Sequence, residues 1–185
     1  MEWVILGIVV LAVVVAVVVY NRLVRLRQST RQAFADIDVQ LRQRSDLVPN
    51  LVNTVKGYAA HEANTLEAVM NARAATQNAT GMAGAAQADG LMTAALGKLF
   101  AVAEAYPDLK ASANFAALQQ ELGDVENKIA AARRFLNLAV AEYNAAIEQF
   151  PAVLFARVFN FKPDAMFQLP DDARASETKA PEVSF

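Results

Sequence analysis

With 185 residues, no cysteine and a net charge of −2, the chain has the size of one ordinary domain behind a short apolar segment. The missing thiols exclude disulfides, thiolate metal sites and cysteine catalysis, and the near-neutral charge excludes a whole-domain surface for nucleic acid or acidic substrates. The apolar share of 55% is raised by the N-terminal segment and by abundant alanine, the residue least costly to place in a helix, so composition predicts an all-α fold.

From Trp3 to Tyr20 every residue is apolar or an interface aromatic. At 1.5 Å per residue the run covers roughly 27 Å, close to the thickness of a hydrocarbon core. A cleaved signal peptide calls for a basic start, a shorter apolar run and a small-x-small site, whereas Met1-Glu2 leads straight into the span and then into arginines, so residues 1–21 are read as a retained anchor. Trp3 and Tyr20 stand where amphipathic rings mark the two interfaces. Arg22, Arg25, Arg27 and Arg31 follow without an acidic residue between them, which predicts an outside N-terminus, a cytoplasmic domain and contact with anionic lipid heads.

No glycine or proline falls between Ile8 and Val48, so the span is expected to continue into one helix longer than about 50 Å. Phe34, Ile37, Leu41, Arg44, Val48, Leu51, Val55 and Tyr58 alternate at three and four residues, the pattern of one buried stripe that only Arg44 interrupts. Pro49 predicts a break: either Ser45 or Asp46 caps a new helix or the axis kinks. The helix is then expected to run past Lys56-Gly57-Tyr58 to about Gln77, with a loop over Ala79–Gly84. A shorter helix from about Ala86 to Ala105 carries Leu91, Ala95, Leu99 and Val102 on one side and ends at Tyr106-Pro107. The last helix holds its spacing longest, from Phe115 through Leu122, Ile129, Leu136 and Tyr143 to Phe150, where Pro151 closes it, with a further turn through Phe155. Long helices with short connections predict an antiparallel bundle over residues 22–161, and the alanines along the seam allow close approach. Residues 162–185 form a polar, Pro/Asp/Glu-rich tail that buries little apolar surface by itself.

Chemistry is sparse. His61-Glu62 resembles the start of a zinc-protease helix, but Thr65 stands where the second histidine belongs, and His61 is the one histidine present. Glu62, Glu67, Glu121 and Glu126 lack the Glu-x-x-His pairs of a di-metal bundle site. With no triad and no phosphate loop either, neither catalytic residues, metal ligands nor a cofactor are expected. Asn78-Ala79-Thr80 matches a glycosylation sequon, which a cytoplasmic domain would carry by chance. Glu126, Arg133, Asn137 and Asn144, spaced seven, four and seven, form a polar stripe beside the seam of the last helix. Arg44 and Glu62 are their natural partners in a buried network that sets helix register.

QLRQRSDLVPNLVNTVKGYAAHE (40–62) and YPDLKASANFAALQQELGDVENKIAAARRFLNLAVAEYNAAIEQFP (106–151) resemble the LemA family of bacterial membrane proteins. The likeness extends to the basic stretch after the anchor, to Phe159 and Phe161, and to the terminal Val-x-Phe; Leu136 departs from it, standing where the family usually has an aromatic. The resemblance implies a single-pass protein of the bacterial cytoplasmic membrane with a cytoplasmic helical bundle. Members of that family are discussed near membrane proteases, envelope stress and, in one branch, organelle-like membrane compartments.

Two functions are expected from these features. The first is a non-enzymatic scaffold that forms homo-oligomers through its long helices and organises or shapes membrane lipids, without nucleic acid. The second is an adaptor that docks a membrane protease or sensor through the bundle face or through Val183 and Phe185 of the tail, whose carboxylate follows an alternating apolar pair.

Overall fold

The structure, a computed structural model, describes residues 1–168, so Val183 and Phe185 lie outside the described residues. It is all-α: α1 (Glu2–Lys56), α2 (Ala63–Asn78), α3 (Gly81–Ala103), α4 (Pro107–Lys110), α5 (Ala113–Glu148) and α6 (Ala152–Val158), with no strand among the described residues. The chain divides into two compact units. Unit 1 joins Met1–Asp36 to Arg133–Met166, and unit 2 comprises Ile37–Ala132 with the described residues after Met166.

In unit 1, the apolar stretch of α1 has a mean hydropathy of 3.1 over its best window, and none of that window is buried. It is the one described helix long and apolar enough to cross a membrane. Its many valines are mediocre helix formers in water, but in lipid the helix satisfies every backbone group internally and wins. Below the apolar run, Leu23 packs with Tyr143, Ala146 and Ile147 of α5, with Ala156 of α6 and with Phe161.

In unit 2, Ile37, Leu41, Val48, Leu51 and Val55 of α1 are buried at the predicted spacing, as is Arg44. The core continues through Leu66 and Val69 of α2, Met92 and Leu99 of α3, Leu109 of α4, and Phe115 and Leu122 of α5. The two-residue connection at Ala79-Thr80 folds α2 back onto α3.

Three expectations are corrected. Pro49 neither ends nor restarts a helix, because α1 runs through it to Lys56. Proline removes the N–H that would bond the carbonyl four residues back. That carbonyl, Ser45 O, accepts instead from Arg73 Nε of α2 at 3.2 Å, so tertiary structure supplies the missing donor. The helix does stop after Lys56: the amides of Tyr58 and Ala59 both donate to Val55 O, at 3.0 and 2.8 Å. Glycine weakens the helix at position 57, and burial of Ala59 in the core rewards the turn. Finally, α3 starts at Gly81, whose φ of +69° suits glycine, and the loop shrinks to two residues. The buried face of α3 follows Ala85, Ala88, Met92, Ala95, Leu99 and Ala103, whereas Leu91 points out and is half exposed.

Candidate functional site

Two clusters gather the polar and aromatic side chains. In unit 2, Arg44 sits on the apolar stripe of α1 because both terminal nitrogens of its guanidinium find partners in the interior. Nη2 reaches Asp89 Oδ1 of α3 at 2.5 Å, and Nη1 reaches Glu126 Oε2 of α5 at 2.8 Å and Thr93 Oγ1 at 3.2 Å. The side chains of Arg44 and Asp89 are buried, while Glu126 is half exposed. One cation thereby ties three helices together. Its fork geometry demands partners at fixed angles, so the contact specifies register as apolar packing alone does not.

Glu62 is not part of that cluster. It precedes α2 and accepts a hydrogen bond from Tyr106 Oη at 3.3 Å. Partial burial first, and then the Glu62 carboxylate, hold the Tyr106 phenol above its ordinary range. His61 is exposed in the turn between α1 and α2, away from any helix. Among the described residues no three His, Asp or Glu side chains converge.

In unit 1, the second cluster sits directly below the apolar run. The Tyr20 ring meets Phe159 edge-on at 5.0 Å and Phe161 at 5.8 Å. Arg27 lays its guanidinium over the Phe161 ring, 4.8 Å from the centroid. Of the four juxtamembrane arginines, Arg22, Arg25 and Arg31 are exposed and Arg27 is half-buried on this ring. Asn144 of α5 holds the backbone of Asp164 at both ends: Nδ2 donates to Asp164 O at 2.8 Å, and the Asp164 amide donates to Oδ1 at 2.9 Å. Thr30 of α1 donates to the Asp164 carboxylate at 3.1 Å, and Tyr143 Oη donates to Lys162 O at 2.9 Å. Burial, joined by the Asp164 carboxylate, pushes the Tyr143 phenol up; Arg27 and Arg31 pull the other way. The first residues of the tail are therefore strapped to α5, and Phe167 beyond them is buried.

The six residues assigned to one network thus divide. Arg44 and Glu126 meet in unit 2; Glu62 pairs with Tyr106; Asn144 grips Asp164 in unit 1; Arg133 and Asn137 are half-buried on α5 in unit 1. Trp3 is exposed near the start of α1 and Tyr20 stands at the end of the apolar run. Sequence reasoning missed Asp89, Thr93, Arg73 and Asp164. Asp89 had a signal: it is the one carboxylate in an alanine-rich helix, at a position beside the seam.

Comparison with known proteins places these features. A model of the LemA family matches residues 33–185. The chain is 26% identical over 169 residues to magnetosome protein MamQ of Magnetospirillum gryphiswaldense, covering 77% of this chain and 62% of that protein. It is likewise 26% identical over 175 residues to magnetosome protein MamQ 2 of Paramagnetospirillum magneticum, covering 80% of this chain and 64% of that one. The chain spans a little under two thirds of the length of these relatives. With the family match covering residues 33–185, from within α1 onward, the chain belongs to the LemA family and is a membrane-associated helical protein.

Proposed function

We propose that this chain is a non-enzymatic, membrane-anchored bundle that self-associates to organise or shape the bacterial cytoplasmic membrane, with its N-terminus outside. The observation that carries the reading is α1 itself, one helix that is bare and apolar at its start and packed in helical cores further on. In this reading, packing among bundles is coupled to the span because one continuous helix, Glu2–Lys56, belongs to both. Arg22, Arg25 and Arg31, exposed just beyond the apolar run, support this orientation. Apolar side chains outside the span support association: Phe135 and Leu138 of α5, one turn apart, are 53% and 67% exposed. The naming of the relatives for the magnetosome agrees with the family's link to membrane compartments.

Extraction in mild detergent followed by mass measurement tests it. The expected result is a discrete oligomer that weakens when Phe135 and Leu138 are replaced by serine. A monomer at every concentration overturns the scaffold, and a monomer that copurifies with a membrane protease or sensor transfers the role to the adaptor reading.

A further inference from the structure

Part of the open apolar surface of unit 1 outside the span lies on and just after its last helix, α6. α6 turns Ala156 inward, and Phe161 follows it into the core beside Leu23, Tyr143 and Ile147. On the outside, Leu154 is 57% exposed, Val158 77% and Phe159 52%. Leu154 and Val158 are one turn apart and share a face. Single exposed apolar residues are ordinary, but a short helix that buries one apolar face and presents another needs something to cover the second.

Both ends of α6 are fixed to the same turn of α1. At the N-terminal end, Phe150, Pro151 and Ala152 line a shallow cavity together with Val19, Arg22 and Leu23. At the C-terminal end, the Phe159 ring rests on Tyr20. The contacts at both ends of α6 thus fall on residues 19–23, a stretch that rises only about 6 Å along α1. The level is set by chemistry: α1 leaves its apolar run at Tyr20 and continues with Asn21 and Arg22, the succession that marks a bilayer surface. A helix whose two ends both meet α1 at that level sits at the interface. Its other exposed group is Arg157, and Arg22 and Arg25 are exposed nearby on α1. Apolar side chains in one plane with cations are what an interfacial helix offers to lipid.

We infer that α6 is a second membrane contact, whose Leu154, Val158 and Phe159 enter the boundary between headgroups and acyl chains of the bilayer that α1 crosses, with Arg157 among the lipid phosphates. The inference rests on the reading of α1 as a span and is independent of self-association. It gives Phe159 a role beyond packing on Tyr20.

The chain has no cysteine, so single labels are clean. Full-length Leu154→Cys and Val158→Cys variants carry a bimane fluorophore in vesicles of phosphatidylcholine and phosphatidylglycerol doped with lipid bearing a nitroxide at the headgroup or deep in the acyl chain. Both positions are exposed, so neither label disturbs the core. The expected result is quenching by the headgroup nitroxide at least about threefold stronger than by the deep one at both positions, the depth of an interfacial helix. Leu11→Cys, within the apolar run, is quenched by the deep nitroxide, and Leu91→Cys, exposed on α3, by neither. Quenching at Leu11→Cys without quenching at 154 and 158 overturns the contact and leaves the span intact. No quenching at Leu11→Cys overturns the span and the inference with it. Protection of 154 and 158 from aqueous iodide that appears only at high protein-to-lipid ratio, without lipid quenching, identifies a second copy as the cover and overturns the lipid contact.

Discussion

Arg44 shows how one residue decides whether a helix face is a flaw or a device. A guanidinium in an apolar stripe is costly by itself, and Asp89 and Glu126 turn that cost into a three-helix clamp. Arg44→Met removes one partner of the buried Arg44–Asp89 ion pair and is expected to lower stability by about 3–5 kcal/mol, read from chemical denaturation in detergent. Adding Asp89→Leu restores most of that loss; failure to recover would show that the carboxylate has another indispensable role. Tyr143 provides a pH-dependent counterpart. Its phenol is held above its usual value, so the neutral form that donates to Lys162 O belongs to the folded state. Its contribution is complete below about pH 10 and disappears as pH rises through the raised value. Tyr143→Phe is therefore expected to cost about 1 kcal/mol at neutral pH and to match the unaltered chain in strong alkali, in melts compared across pH. Arg44 and Glu126 were both legible in the sequence as polar groups on or beside a seam. Asp89 carried a weaker signal, since alanine covers α3 on every side and its buried face, through Ala95 and Leu99 as expected, takes Met92 in place of Leu91. Asn144 was misassigned for another reason: its partner is the backbone of residue 164, which no side-chain pattern records.

At the scale of elements, helix identity was more legible than helix ends. The stripes of α1 and α5 are long enough for periodicity to find them, and Ile37, Leu41, Val48, Ile129 and Leu136 are buried where the spacing put them. Ends depend on what the rest of the protein offers to a freed backbone group. Pro49 is passed because Arg73 of α2 reaches Ser45 O, and Gly57 is a stop because Ala59 has a core to enter. A cycle of variants isolates the first effect. Arg73→Met is expected to cost about 1–2 kcal/mol, the penalty of an unpaired carbonyl. In a Pro49→Ala background the cost shrinks, because the restored amide takes the carbonyl; equal costs in both backgrounds would disprove the substitution of one donor for another. The strap from Lys162 to Asp164 was the element least visible beforehand, since its composition resembles a free tail. Asn144→Ala removes both bonds to residue 164, and amide exchange at Asp164 is expected to accelerate by at least about tenfold, equivalent to about 1.4 kcal/mol of lost protection.

For the whole molecule, the span and the remainder are separable in energy though not in secondary structure. Residues 1–18 contribute no buried side chain. A chain that starts at Val19 is expected to stay helical by circular dichroism and to unfold within about 0.5 kcal/mol of full length; collapse of its melt would reveal packing by the span itself. The division into units also imposes an order on biosynthesis. Unit 2 is one continuous stretch of chain except for the residues after Met166, whereas unit 1 needs both Met1–Asp36 and Arg133–Met166. Between emergence of Asp36 and arrival of Phe161 a ribosome adds more than a hundred residues, roughly 6–25 s at ordinary elongation rates. For that interval Leu23, Tyr20 and Arg27 lack the partners that α6, Phe159 and Phe161 bring, so late residues close the first-made helix. Premature termination before α6 thus leaves the first-made helix with an open collar.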